Sequence, residues 1–358
     1  MCVIKIVLKI HKCKMKIVFV EDFMDDNPKE IILDNSLIRC CISPLGATLC
    51  SVKLHSCMDK ELTLALPSSK EYQNSDTYSG ATLGPAAGRI RNGELWIHGE
   101  QYQLDQNEGK TTLHGGRHNL SHKLFEVREQ QNDFVKLTVC LNDGEDGWPG
   151  NRIVTVIYSI GPGMCLHIQY EASSDRATYF DLSNHTYWNL NGTVGSDSLD
   201  ESLMIDADEV LYNDADHLPI GRFKVENTAF DYRQLCTIAN QITKYAEDIQ
   251  LKNAHGYNNA YILNDRDYWN VPAVILKSNL SGITMNLYTD QNTVVMYSGG
   301  YLNHEIALAD GASGSPGCAI ALEAQNWPDA CHIKEAPFQI TEPGQQYKKN
   351  IIVSFSKS

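Results

Sequence analysis

The chain has 358 residues, of which 42% are apolar and 21% are charged, a globular composition that excludes disordered, collagen-like and low-complexity proteins. With 44 acidic and 30 basic residues, the formal charge is −14, which disfavours nucleic acid and anionic membrane surfaces as partners. No stretch reaches the roughly 18 apolar residues of a membrane span. The length alone permits either two domains of average size or one large all-β domain.

The N-terminal stretch from Lys5 to Lys16 is the most basic part of the sequence. Its lysines alternate with Ile, Val and Leu and leave no uninterrupted apolar segment of the kind a signal peptide contains. We interpret residues 1–14 as an extension, either a β-strand arm or a product of start-codon choice with Met15 as the true beginning. The remaining residues, 15–358, are predicted to form the domain.

Alternation of apolar and polar residues predicts β-strands along most of the chain. Gly161-Pro162-Gly163 interrupts two of the strands and predicts a hairpin between them. One segment, Gln234–Ile242, spaces its apolar residues three and four apart and predicts a helix. No repeat, linker or charge block marks a boundary, so we expect one large, mainly antiparallel all-β domain. The predicted strands are Val135–Leu141, Arg152–Ile160, Met164–Tyr170, Ala273–Lys277 and Ile283–Thr289.

Cysteine usage points to a reducing compartment. The 11 cysteines are an odd number and include no Cys-x-x-Cys pair. Buried, unpaired thiols in the cytoplasm are the simplest interpretation.

One histidine set has the spacing of a metal site. His114, His118 and His122 would share one face of a helix. Gly115 and Gly116 lie inside the set and disfavour a helix there, so we predict no metal.

Three polar clusters interrupt apolar or aromatic strand segments, where a buried polar group needs a partner or a function. Each contains a group able to transfer protons near neutral pH, namely His114, His185 or Glu323. Trp188 and Trp327 stand beside two of them and offer flat faces against which a small amphipathic ligand can lie. The clusters are Leu113–Gly116, Asn184–Leu190 and Ala321–Asp329.

The residues of these clusters and their order along the chain resemble those of the aldose 1-epimerase, or galactose mutarotase, family. The resemblance extends over about residues 30 to 356. The matching segments are Leu45–Leu49, Gly88–Ile90 with Asn92-Gly93, Leu113–Gly116, Asp143–Gly150, Asn184–Gly192, Phe230–Arg233, Gly256-Tyr257, Glu323–Ala330 and Pro343-Gly344.

The resemblance implies a single β-supersandwich of mainly antiparallel strands that interconverts the α and β anomers of a free aldohexose, such as galactose or glucose, without a cofactor. It implies that Glu323 is the base for the C1 hydroxyl and that protonated His185 is the acid for the ring oxygen. Substrate contacts are expected from Arg89, His114, Asn258 and Gln325. The partner is then a neutral monosaccharide, and the oligomeric state is left open between monomer and homodimer.

Two positions depart from the family pattern. Gly88 stands where many relatives have Asn, which removes a side chain expected to help fix Arg89. Asn258 stands where relatives usually have Asp, and an amide cannot accept a hydrogen bond through a charged oxygen. These departures leave open a non-catalytic sugar-binding or regulatory protein, or a different carbohydrate enzyme on the same fold.

Overall fold

The computed structural model describes residues 29–192 and 196–358, so the predicted extension 1–14 lies outside the described residues. The α-helices are α1 (Ser69–Asn74), α2 (Ile238–Lys244) and α3 (Ile249–Ala254). The strands, numbered in chain order, are β1 (Ile31–Asp34), β2 (Ile38–Ser43), β3 (Thr48–Leu54), β4 (Lys60–Glu61), β5 (Thr82–Leu83), β6 (Arg89–Ile90), β7 (Glu94–Ile97), β8 (Glu100–Gln103), β9 (Thr112–Leu113), β10 (Glu126–Gln130), β11 (Phe134–Leu141), β12 (Arg152–Gly161), β13 (Cys165–Ser174), β14 (Thr178–Tyr179), β15 (Ser183–Asn184), β16 (Tyr187–Trp188), β17 (Ser202–Ile205), β18 (Ala207–Asn213), β19 (Pro219–Lys224), β20 (Cys236–Thr237), β21 (Asn258–Leu263), β22 (Val274–Lys277), β23 (Ile283–Thr289), β24 (Thr293–Tyr297), β25 (Ile320–Gln325), β26 (Ile340–Thr341) and β27 (Tyr347–Lys357).

Three sheets form the body of the molecule. The largest has nine strands in the order β10-β11-β12-β13-β27-β23-β22-β17-β20. A six-stranded sheet has the order β16-β25-β24-β21-β18-β19, and a four-stranded sheet runs β1-β2-β3-β4. Neighbouring strands within all three sheets are antiparallel. The expected all-β, mainly antiparallel architecture is therefore confirmed.

One large apolar core joins these sheets. It contains Val52 of the four-stranded sheet, Val156 and Val353 of the nine-stranded sheet, and Met296 and Leu322 of the six-stranded sheet. The core lies on one face of the six-stranded sheet, which leaves the opposite face available for a cleft.

The strands predicted from alternation are present. Val135–Leu141 lies within β11, and Ile283–Thr289 coincides with β23. The hairpin expected around Gly161–Gly163 joins β12 to β13, in which Ile160 pairs with Leu166. Alternation of apolar and polar residues predicted these strands because one face of each strand packs on the core while the other is more exposed.

The helix prediction was wrong at its start. Helix α2 covers Ile238–Lys244, not Gln234–Ile242. Cys236 and Thr237 instead pair with Leu203 and Ser202 as an edge of the nine-stranded sheet. Tertiary pairing thus overrides a local helical spacing.

Among the described residues, no helix is both long enough and apolar enough to span a bilayer. The nine cysteines within the described ranges are all free thiols, and Cys40 and Cys41 are buried.

Candidate active site

Strand β25 presents alternate residues to the core and to the cleft. Leu322 and Ala324 belong to the core, while Glu323 and Gln325 line the cleft on the opposite face. The neighbouring strand β24 continues the pattern, since Val295 pairs with Glu323 and also lines the cleft. The expectation that Glu323 and Gln325 share a face is confirmed, and it follows from strand geometry.

His185 lies between β15 and β16 and is fixed by its own backbone. Its N–H donates to the carbonyl of Ala81 at 3.0 Å, and its carbonyl accepts from the N–H of Gly80 at 3.0 Å. The side chain of the preceding Asn184 also donates to the Gly80 carbonyl, at 2.9 Å. These bonds place the imidazole in the cleft before any ligand arrives.

Arg89 and His114 are brought together by the pairing of β6 with β9, in which Arg89 lies opposite Leu113. His114 follows β9 directly, and its N–H donates to the Gly88 carbonyl at 2.9 Å. In return, the Gly88 N–H donates to Nδ1 of His114 at 3.2 Å.

All six residues expected to act on substrate line one cleft of about 900 Å³. Asn258, the first residue of β21, faces this cleft, whereas Asn259 is 2% exposed and bonds to the Leu211 carbonyl and the Gln250 amide. The six are Arg89, His114, His185, Asn258, Glu323 and Gln325. The structure therefore assembles residues that lie as far apart in the sequence as 89 and 325.

His185 and Glu323 form a buried pair, with 3.5 Å between Nε2 and Oε1. Burial raises the pKa of Glu323 to about 8, an increase that the charge of Arg89 opposes. Burial lowers the pKa of His185 to about 4, against a weaker opposing effect of a backbone hydrogen bond. Burial therefore opposes the charged form of both groups, whereas the resemblance implied a protonated, charged His185.

His114 is a neutral hydrogen-bond donor toward the cleft. Burial is the main reason that its pKa lies well below the usual value, with His185 and Arg89 adding to the effect. Because Nδ1 accepts the bond from Gly88, the proton of the neutral ring is on Nε2.

The position of the proton on His114 also determines whether the cleft can bind a metal ion. Ligand atoms of His114, His185 and Glu323 all lie within 4.8 Å of one another. However, a protonated Nε2 has no lone pair for a cation, and Nδ1 already accepts a hydrogen bond. His114 is therefore a hydrogen-bond donor in this site, and the trio does not fit a three-ligand metal site.

The shared helical face that the spacing of His114, His118 and His122 would require is not formed, as the two glycines led us to expect. No α-helix runs through these residues, and of the three only His114 lines the cleft. His118 is exposed and pairs with Asp146 at 2.9 Å. The two glycines that follow His114 adopt φ values of 103° and 113°, which explains why the helical spacing is not realised.

The two tryptophans singled out as ligand platforms are core residues instead. Trp188 packs against Phe355 at 5.8 Å between ring centroids, and Trp327 is buried with Leu211 and Ala260. Neither lines the cleft. Trp188 directly follows Tyr187 on β16, so its side chain lies on the opposite face of the strand from the cleft.

Tyrosines form the aromatic wall instead. The Tyr187 ring lies 4.8 Å from His185, Tyr297 lies 6.4 Å from His185, and Tyr78 lies 4.8 Å from His114. Tyr187 is two residues after His185, and side chains two residues apart on a strand point to the same face, so the sequence predicts that Tyr187 lies beside His185. Tyr78 has no comparable signal, because a loop distant in sequence carries it into the site.

Gly88 affects the site differently from what was expected. The Arg89 guanidinium is fixed by Glu108, with 2.7 Å from Nε to Oε2 and 2.8 Å from Nη2 to Oε1. A Cβ at position 88 would come within 2.9 Å of Nε2 of Gln325. Glycine therefore leaves the space that Gln325 occupies, while Glu108 orients Arg89.

Comparison with known proteins bears on the family and the fold. The family model described as aldose 1-epimerase matches residues 29–354. The chain belongs to the aldose 1-epimerase family.

The matches between this aldose 1-epimerase family member and individual relatives extend over most of both chains. Human galactose mutarotase is 29% identical over 327 residues, which cover 90% of this chain and 93% of the human protein. The aldose 1-epimerase of Haemophilus influenzae is 33% identical and covers 72% of this chain and 74% of its own. The crystal structure of an aldose epimerase homologue from C. elegans superposes with a TM-score of 0.84 at 26% identity, covering 92% of this chain and 99% of its own. The predicted family and fold are thereby confirmed, and the protein is a carbohydrate isomerase.

Proposed function

We propose that this protein catalyses the interconversion of the α and β anomers of a free aldohexose, such as galactose or glucose, through Glu323 and His185. The observation that carries the proposal is their buried pairing, 3.5 Å from Nε2 to Oε1, at the wall of a cleft. Anomer exchange needs one group to accept a proton and another to donate one, and this pair holds one proton for the two sites.

In the proposed first step, Glu323 takes the proton of the C1 hydroxyl while His185 gives a proton to the ring oxygen. The bond from C1 to the ring oxygen breaks, its electron pair stays on that oxygen, and C1 becomes an aldehyde. After rotation about the C1–C2 bond, the two groups reverse their roles and the ring closes as the other anomer. No proton is gained or lost over the cycle, so a buried pair with one proton is sufficient.

The proposed first step needs an ionised Glu323 and a protonated His185, so the proton that the pair shares has to lie on His185 when the sugar reacts. Hydrogen bonds from sugar hydroxyls to the Glu323 carboxylate favour the charged form, and the charge of Arg89 acts in the same direction. His114, through its Nε2–H, is proposed as a donor beside the ring oxygen. We assign hydroxyl contacts to Arg89, Asn258 and Gln325.

An unpaired polar atom supports a polyhydroxylated ligand. Oε1 of Gln325 is buried and has no hydrogen-bond partner among the described residues. Buried polar atoms normally have one, and the hydroxyl groups of a sugar can provide it.

The test is polarimetric relaxation of freshly dissolved α-D-galactose and α-D-glucose. Wild-type protein at micromolar concentration should accelerate the relaxation, and Glu323→Gln and His185→Asn should each reduce the rate by about 10²- to 10⁴-fold. Circular dichroism of each variant serves as the folding control. Saturable sugar binding without any acceleration across a panel of aldoses would favour the non-catalytic sugar-binding alternative.

We further infer a cytoplasmic location and a neutral monosaccharide partner. Support comes from the free thiols of the nine described cysteines and from the net charge of −14, which disfavours phosphate backbones.

A further inference from the structure

Arg89 is bound on two atoms by one carboxylate. Glu108 accepts from Nε and from Nη2, at 2.7 and 2.8 Å, through separate oxygens. This fork-to-fork geometry is also the arrangement in which arginine recognises the carboxylate or phosphate of a ligand. Glu108 therefore occupies the face of Arg89 that an anionic ligand would need, and it leaves Nη1 for a neutral hydroxyl.

The backbone presets this ion pair. Glu108 and Thr111 exchange two hydrogen bonds, 3.1 Å from the Glu108 N–H and 2.8 Å from the Thr111 N–H, and so close a tight turn. The turn leads into β9, which pairs with β6 and places Leu113 opposite Arg89. Both partners are thus carried on paired segments, and the Arg89 side chain is only 16% exposed.

The rest of the cleft provides no other permanent cation. Arg89 is the only lysine or arginine among the described residues that line it. Burial lowers the pKa of His217 in the same lining, as it does for His114 and His185, so these rings are neutral at pH 7. The acidic side chains that line the cleft are Glu71, Asp76, Glu108, Glu305 and Glu323.

We propose that Glu108 is a specificity-determining residue that makes the cleft reject aldoses bearing a negative charge, such as hexuronates and sugar phosphates. This inference rests on the proposed function, because it concerns the substrate class of the same site. Specificity of this kind comes from a repulsive group that penalises the wrong ligand as well as from contacts to the correct one. Glu108 does both: it repels an anion and withholds Arg89 from it.

The experiment compares sugars that differ only at C6. Galactose and galacturonate, and as a second pair glucose and glucuronate, are titrated at anomeric equilibrium by calorimetry into wild type, Glu108→Gln and Glu305→Gln. Glu305→Gln is the matched control, because it removes an equal charge from the exposed part of the same lining without a contact to Arg89. Using the ratio of dissociation constants within each pair cancels any general loss of affinity.

Wild type should bind galactose at least about tenfold more tightly than galacturonate, and Glu108→Gln should reduce that ratio about tenfold. Glu305→Gln should change it by less than about twofold, since solvent screens an exposed charge. An unchanged ratio in Glu108→Gln would overturn the proposal, as would an equal reduction in Glu305→Gln.

Failure of this inference can be distinguished from failure of the proposed function. Sugars at anomeric equilibrium undergo no net reaction, so the titration measures binding whether or not the protein is an epimerase. Polarimetric acceleration without the ratio change in Glu108→Gln overturns only the role of Glu108. The ratio change without acceleration overturns only the proposed catalysis.

Discussion

Glu323 and His185 carry opposite changes in pKa because the same burial acts on an acid and on a base. The sequence singled out both residues as candidates, since a carboxylate and an imidazole in apolar strand segments need a partner or a function, and the family resemblance implied their roles. It was not sufficient to show that they meet, because their contact depends on the pairing of β16 with β25, and that pairing is not encoded locally.

The pair should give a bell-shaped pH profile. Below about pH 4 His185 gains a second proton and the pair has no base, and above about pH 8 Glu323 loses its proton and the pair has no acid. We expect kcat/KM to fall about tenfold per pH unit beyond each limit, after subtraction of the spontaneous rate. These limits belong to the pair as a whole and not to single residues.

A second cleft histidine provides the control for that profile. His217 also has a pKa lowered mainly by burial, but it lies outside the pair. His217→Asn should retain both limits. Constant activity from pH 5 to about pH 10 in the wild type would contradict the assignment of the pair.

At the scale of elements, alternation decided which side chains reach the cleft. Strand β25 could be anticipated in this respect, because Glu323 and Gln325 are two residues apart and alternate with the apolar residues Leu322 and Ala324. The Arg89–Glu108 ion pair could not be anticipated from the sequence, since it depends on a turn and on the pairing of two short strands. The tryptophan prediction failed for a related reason: proximity in sequence does not specify a face.

The turn that enters β6 provides a test of this arrangement. Gly88 has φ +69°, and a Cβ there would meet the amide of Gln325 at 2.9 Å. Gly88→Ala should therefore displace Gln325 and reduce kcat/KM by about tenfold, in addition to the backbone strain of about 1–2 kcal/mol that this φ imposes.

Gly99, in the hairpin between β7 and β8, separates the two effects. Its φ is +82°, but nothing lies within 4 Å of a Cβ built there. Gly99→Ala should therefore lose comparable stability on thermal unfolding and keep full activity in the polarimetric assay. Equal activity of the two variants would show that the space at Gly88 does not matter to the site.

At the scale of the whole molecule, the large apolar core unites all three main sheets. The overall class was predictable from the sequence because many short alternating segments without linkers favour a single β architecture. The order of strands in the nine-stranded sheet was not, because pairing between distant segments is decided by packing. Strand β27, for example, lies between β13 and β23.

We expect residues 15–358 to unfold as one unit, with a single calorimetric transition. A chain that ends at Gln346 lacks β27 and with it the core residues Ile351, Val353 and Phe355, so it should fail to accumulate as folded protein. A chain lacking only Lys357 and Ser358 keeps those residues and should melt within a few degrees of the wild type. Two separate transitions, or a folded chain ending at Gln346, would contradict the prediction of one domain.

The central position of β27 also constrains how the protein is made. Leu166 of β13 pairs with Val353, and Leu287 of β23 pairs with the same residue from the other side. During synthesis β13 and β23 are therefore complete while the strand that joins them is still unmade, and each has an unpaired apolar edge. Such edges are prone to association with other chains, and pairings between distant segments form slowly. The nascent chain should therefore depend on protection by chaperones until β27 has left the ribosome.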